Sequence, residues 1–72
     1  MRWHLDPKRP GLLVLIAHGR AVARIEPLSG RHVVHVRYAD VHVIAVRTCV
    51  RTAQRFAEGE LWSGTGELPG HD

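Results

Sequence analysis

Asparagine is missing from the 72 residues, cysteine, methionine, tyrosine and phenylalanine occur once each, and lysine is reduced to Lys8 beside nine arginines. Each shortage removes an option. A lone Cys49 cannot close an internal disulfide, and no Cys/His spacing suits a structural zinc ion, so the usual staples of a short chain are not in view. No run of about 18 apolar residues exists to span a bilayer. Leu12–Ala17 is too short for a signal-peptide core, and no small-residue cleavage site follows it. The expectation is a soluble, cytoplasmic protein. Repeats and low-complexity blocks are absent as well.

What remains is one small domain. A chain of this size buries only about 60% of the surface its unfolded form exposes, which makes a homodimer that enlarges the core a fair expectation. Net charge is +3 and the pI is about 10.0, compatible with nucleic acid or with an acidic protein patch. Abundant Arg, Ala, Gly, Val, His and Pro without asparagine point to a GC-rich bacterial genome or one of its phages.

Thr48–Trp62 carries the clearest periodicity. Val50, Ala53, Phe56, Ala57 and Leu61 recur at three and four residues, the stripe of an amphipathic helix, and Thr48 can cap its start. Such a helix is marginal alone in water and needs a surface to lie on. The β-rich segment before it supplies the candidate. Residues 1–10 read as a polar arm whose Trp3 folds back over an edge of the core. Residues 11–62 form the domain and 63–72 a flexible tail. Within the domain Leu12–His18 is a strand, Gly19-Arg20 a type II′ turn, and Ala21–Glu26 the returning strand. Pro27–Gly30 is a four-residue loop, Arg31–Tyr38 a third strand, and Ala39-Asp40 a turn. Four of the six residues of Val41–Val46 are β-branched, which favours a fourth strand. The competing reading runs the helix back to Asp40, because Val43, Val46, Val50, Ala53 and Ala57 also recur helically. The fold class expected is α+β: an antiparallel β-meander of three to four strands with one C-terminal helix packed on one face.

Side chains alternate along strands, and residues paired across hairpins share a face. These turns collect Leu12, Val14, Ile16, Ala21, Ala23, Ile25, Val34, Val36, Tyr38, Val41, Val43 and Ala45 beneath the helix. The opposite face receives Leu13, Leu15, Ala17, Val22, Val33, Ile44 and Val46 among Arg24, Glu26, Arg31, His35, Arg37 and His42. A solvated face should be more uniformly polar, and aliphatic patches of this kind mark interfaces. The competing explanations are cover by the arm or tail, or one strand displaced by a residue.

Chemistry is thinly represented. His32 and His35 fall on opposite faces of a strand; His35 and His42 share a face as diagonal neighbours but lack an obvious third ligand. No metal or cofactor is therefore expected. Cys49 opens the helix, where the dipole lowers a thiol pKa, yet no motif aims a base at it. Gly59 and the Gly64/Gly66 pair lack the strand–turn–helix context of a phosphate loop. The expectation is a protein that is not an enzyme. Arg47, Arg51 and Arg55, spaced by four, make a cationic row along the helix, and arginine suits bidentate contact with carboxylate or phosphate.

Trp3, Pro10-Gly11, the segment Gly19-Arg20-Ala21-Val22-Ala23, and a capped helix ending Ala57-Glu58 and Leu61-Trp62 resemble small proteins of phages, prophages and gene-transfer elements in GC-rich bacteria. Those carry a β-meander followed by one helix, and some similarly small mobile-element proteins are anti-CRISPR inhibitors that bind a CRISPR effector. The resemblance implies a protein-binding inhibitor or accessory factor. The residues expected to meet the partner are Leu13, Leu15, Val22, Arg24, Arg31, Val33, His35, Arg37, His42, Ile44, Arg47, Arg51 and Arg55. The alternative is a basic nucleic-acid-binding module touching phosphates through the sheet or helix arginines. A third reading makes the outer face a homodimer contact.

Overall fold

Three two-residue turns, at His18-Gly19, Ser29-Gly30 and Ala39-Asp40, and a longer connection over residues 6–12 fold the chain back on itself so that each strand lies beside its neighbour in sequence. The computed structural model describes residues 2–65. It consists of β1 (Arg2–Leu5), β2 (Leu13–Ala17), β3 (Arg20–Leu28), β4 (Arg31–Tyr38), β5 (Val41–Arg47) and α1 (Val50–Thr65). The sheet is antiparallel throughout in the order β1-β2-β3-β4-β5, and α1 lies chiefly over β4, flanked by β3 and β5. This is an α+β meander with one more strand than expected. β1 lies within the segment read as an arm, where four residues are too few to show an alternation.

The expected Gly19-Arg20 turn sits one residue earlier, and the four-residue Pro27–Gly30 loop is a two-residue turn. His18 and Gly19 have φ of 53° and 75°, and Ser29 and Gly30 have 50° and 76°. Positive φ at both central residues is what a type I′ hairpin requires, and its twist matches that of the strands. Pro27 therefore lies inside β3, opposite His32. β2 ends at Leu13, opposite Ile25, so the missing N–H of Pro27 interrupts no pairing on that side. Neither shift alters which face a side chain takes, because each moves the pairing by an even number of residues.

A β-bulge does alter it. Leu15 pairs Ala23 and Ile16 pairs Ala21, which leaves Val22 as the extra residue of β3. One inserted residue reverses the parity of everything before it. Leu13 and Leu15, expected on the outer face, instead join Ala23 and Ile25 under the helix, while Val14 and Ile16 turn outward. Leu15 is 1% exposed.

The core comprises Leu15, Ala23, Ile25, Val34 and Val36 from the sheet and Ala53, Ala57 and Leu61 from α1. Alanines at the two central helix positions let the backbone come down close to the β4 valines, and all four of these residues are 0% exposed. Trp3, Tyr38, Val43 and Phe56 pack half-buried around this cluster. Trp3 thus covers the margin of the core, from a strand pairing with Leu15.

Val41–Arg47 is strand throughout, so the helix does not reach back to Asp40. It begins at Val50, with the Cys49 carbonyl accepting from Ala53 N–H at 3.1 Å, which puts Cys49 and not Thr48 in the capping position. It continues to Thr65, beyond the expected stop at Trp62. The rest of the segment read as a tail, 66–72, lies outside the described residues.

Candidate functional site: the outer face of the sheet

The face turned away from α1 is built in rows of paired residues. His4, Val14, Arg24, His35 and Ile44 form one row across all five strands. Glu26, Val33 and Val46 form the next, and Arg37 pairs His42 on the other side. Val33, Ile44 and Val46 therefore share the face with Arg24, His35, Arg37 and His42, as the alternation predicts. Arg31 ends β4 on the same side, opposite Leu28. Ile44 is 58% and Val46 48% exposed. Val22, at the bulge, is half-buried. The correction lies in β2: Leu13 and Leu15 leave the surface, and Val14 and Ile16 take their place.

Part of this face is covered by the connection between β1 and β2. Asp6 Oδ1 accepts from Lys8 N–H at 2.8 Å, Asp6 N–H donates to Leu12 O at 2.9 Å, and Leu12 N–H donates to Arg9 O at 3.1 Å. An Asp-Pro pair opening a local turn is the cue for this closure in the sequence. Arg9 forms an ion pair with Glu26 on β3. Gly11 has φ of 80°, and a Cβ there would lie 3.0 Å from Pro27 Cγ, so glycine permits the seating of the loop. Leu12, expected beneath the helix, is buried here at 4% exposure.

Between this loop and the β3–β5 surface runs an open groove of about 420 Å³. Val14, Val22 and Leu12 supply its apolar lining, and Arg9, Arg24 and Arg37 its cations. Asp6 and Arg9 were not among the residues expected at the site. His35 Nδ1 and His42 Nε2 are 3.3 Å apart, with ring centroids at 5.5 Å and planes inclined by 29°. The His35 pKa is lowered from the ordinary histidine value, first by loss of hydration and then by Arg24, with His42 and Arg37 adding and Glu26 opposing. Arg24 and Arg37 disfavour the charged form of His35, whose ring nitrogens can donate or accept a hydrogen bond. The groove is thus suited to anionic groups, with the His35–His42 ring pair at one wall. Among the described residues, no three His, Cys, Asp or Glu side chains come together as a metal-binding group.

The arginine row does not exist as expected. Arg47 ends β5 on the helix side of the sheet, opposite His32. Its guanidinium lies 4.5 Å from the Phe56 ring centroid and donates to Val46 O at 2.8 Å. Only Arg51 and Arg55 of the three lie on α1, and both are exposed. A spacing of four simply ran across the junction between strand and helix. Cys49 is exposed, with Sγ 3.3 Å from Thr52 Oγ1. The Thr52 hydroxyl and backbone lower its pKa, and Arg51 contributes.

No protein-family model, curated protein or solved structure matches the chain.

Proposed function

We propose that this chain is a small non-enzymatic binding module, an inhibitor or accessory factor of the type that mobile genetic elements carry. It acts in the cytoplasm of a bacterial host by attaching to an acidic patch on a protein partner and blocking it sterically. A CRISPR effector is the partner class that the resemblance implies. The observation that carries this reading is the outer face itself: Arg9, Arg24 and Arg37 ring a groove beside the exposed aliphatics Ile44 and Val46. Mixed aliphatic and arginine surface of this kind is typical of protein interfaces, where apolar contacts supply burial and rim arginines select acidic partners.

The experiment compares the parent chain with an Arg24→Glu/Arg37→Glu variant as bait in host lysates, with and without an active CRISPR system. A protein held by the parent and released by the variant supports the proposal. Equal recovery by both baits, or recovery of nothing, removes it.

The convergence of three guanidiniums on one groove also favours a second reading, phosphate contact with nucleic acid. Aliphatic neighbours and the nearby carboxylates Asp6 and Glu26 make that face less suited to a phosphate backbone. Isotherms against duplex and single-stranded DNA and RNA at two salt concentrations separate the readings, because phosphate binding weakens steeply with salt. Flat or absent binding excludes nucleic acid.

A further inference from the structure

Two charges in the groove stand uncompensated. Arg9 is answered by Glu26, and Asp6 Oδ1 accepts from Lys8 N–H at 2.8 Å. Arg24 and Arg37 have neither an ion pair nor a hydrogen bond to an acid among the described residues. Arg24 stands opposite His35, and Arg37 lies two residues beyond His35 on β4. The two arginines are therefore diagonal neighbours, about 7–8 Å apart at the backbone. Their place in the sheet gives the groove unlike walls. Leu12, Val14 and Val22 come from the loop, β2 and the bulge of β3, whereas His35, Arg37 and His42 come from β4 and β5.

The His35–His42 contact adds a donor. With His35 Nδ1 3.3 Å from His42 Nε2, one N–H is used between the rings. A neutral imidazole carries one N–H, so whichever ring donates, at least one hydrogen remains on the two outer nitrogens of the pair.

We infer that the groove is a binding site for a small organic phosphomonoester. Its anionic head seats between Arg24 and Arg37 against the His35–His42 pair, and its apolar body lies on Leu12, Val14 and Val22. Charge and shape both select this class. Two uncompensated guanidiniums match the charge of a phosphomonoester, about −1.5 to −2 at neutral pH, better than that of a single carboxylate. Its three terminal oxygens meet three donor groups, and guanidinium N–H pairs suit phosphoryl geometry. At about 420 Å³ the groove has the size of a small-ligand site. Such sites span about 300–1,000 Å³ and join apolar lining to a few placed polar groups. A nucleic-acid backbone fits less well, because it spreads its charge along a chain that must run on past Asp6 and Glu26. The inference does not rest on the function proposed above, since a small anion in the groove needs no protein partner.

The test titrates the full chain with naphthyl phosphate, followed by calorimetry and by NMR shifts of amide and arginine side-chain groups. Saturable binding is expected. Inorganic phosphate, which has no apolar body, should bind at least about tenfold more weakly, and naphthol, which has no anionic head, should not saturate. Arg24→Gln and Arg37→Gln should each weaken naphthyl phosphate at least about tenfold through loss of a charge-assisted hydrogen bond. Both side chains are exposed, so the urea midpoint of each variant should match the parent's. Arg51→Gln, which removes the same charge from the helix, should bind like the parent. Equal affinity in all three variants, or naphthyl phosphate held no tighter than inorganic phosphate, overturns the inference. Saturation by an oligo-aspartate peptide at lower concentration than naphthyl phosphate also overturns it, and returns the groove to an acidic protein partner.

Discussion

Trp3 Nε1 donates a 3.0 Å hydrogen bond to Glu58 Oε2, joining the first strand to the helix across 55 positions of chain. The bond adds to the β2 pairing and to the packing of Trp3 against the core in holding this edge strand. Trp3→Phe keeps an aromatic ring against the core and removes the donor. It should cost about 1 kcal/mol in a urea titration, with Glu58→Gln costing less because the amide oxygen still accepts. An unchanged midpoint in Trp3→Phe would show that the bond contributes nothing to stability.

The bulge at Val22 makes a sharp contrast between two aliphatic positions. Leu15 lies in the core at 1% exposure and Ile44 on the outer face at 58%. Leu15→Ala should lose about 2–5 kcal/mol, the transfer and cavity terms together. Ile44→Ala, measured at a concentration where the chain is monomeric, should stay within about 0.5 kcal/mol. Reversed magnitudes would restore the uninterrupted register.

His35 predicts a pH dependence. Its pKa in the folded chain lies below the unperturbed 6.5, so the unfolded chain takes up this proton more readily. Well above pH 6.5 neither state is protonated and this group leaves stability unaffected. As pH falls through 6.5 toward the lower folded value, stability declines, and it levels off once both states are charged. His35→Phe should flatten that decline in urea midpoints taken between pH 5 and 8. The groups facing His35 are Arg24, Arg37, His42 and Glu26, so the variant isolates one member of a charged set.

Arg47 over the Phe56 ring is a stability contact. Arg47→Ala should lower stability by about 0.5–1 kcal/mol, whereas Arg51→Ala and Arg55→Ala should each stay within about 0.5 kcal/mol. Thermal melts of the three variants make the comparison. Equal effects in all three would argue for the single helical row.

Local chemistry explains what the sequence reveals of this fold. The helix stripe of Ala53, Ala57 and Leu61 follows from a period of 3.6, and the Tyr38–Val41 pairing from a two-residue turn and β-branched flanks. The strand character of Val41–Val46 follows from the same β-branching. The bulge has no comparable marker, since Ala21, Val22 and Ala23 are all compatible with a regular strand. It decided the faces of Leu13 and Leu15. β1 depends on a distant helix for Trp3's partner, which no local pattern announces. At the candidate site the strand residues Arg24, Arg37, His35 and His42 were legible from alternation. Arg9 and Asp6 were not, because a loop's path is set by where it closes.

Every strand after the first neighbours its predecessor, and none has to wait for a distant segment before it can pair. Loop-closure entropy grows with the length of chain enclosed, so the two-residue hairpins are the cheapest places to begin. Assembly can then zip outward from the β3–β4 hairpin, with the helix condensing on the β4 valines. The clasp between Trp3 and Glu58 encloses 55 positions of chain, so closing it from an open chain costs more entropy than closing any two-residue hairpin.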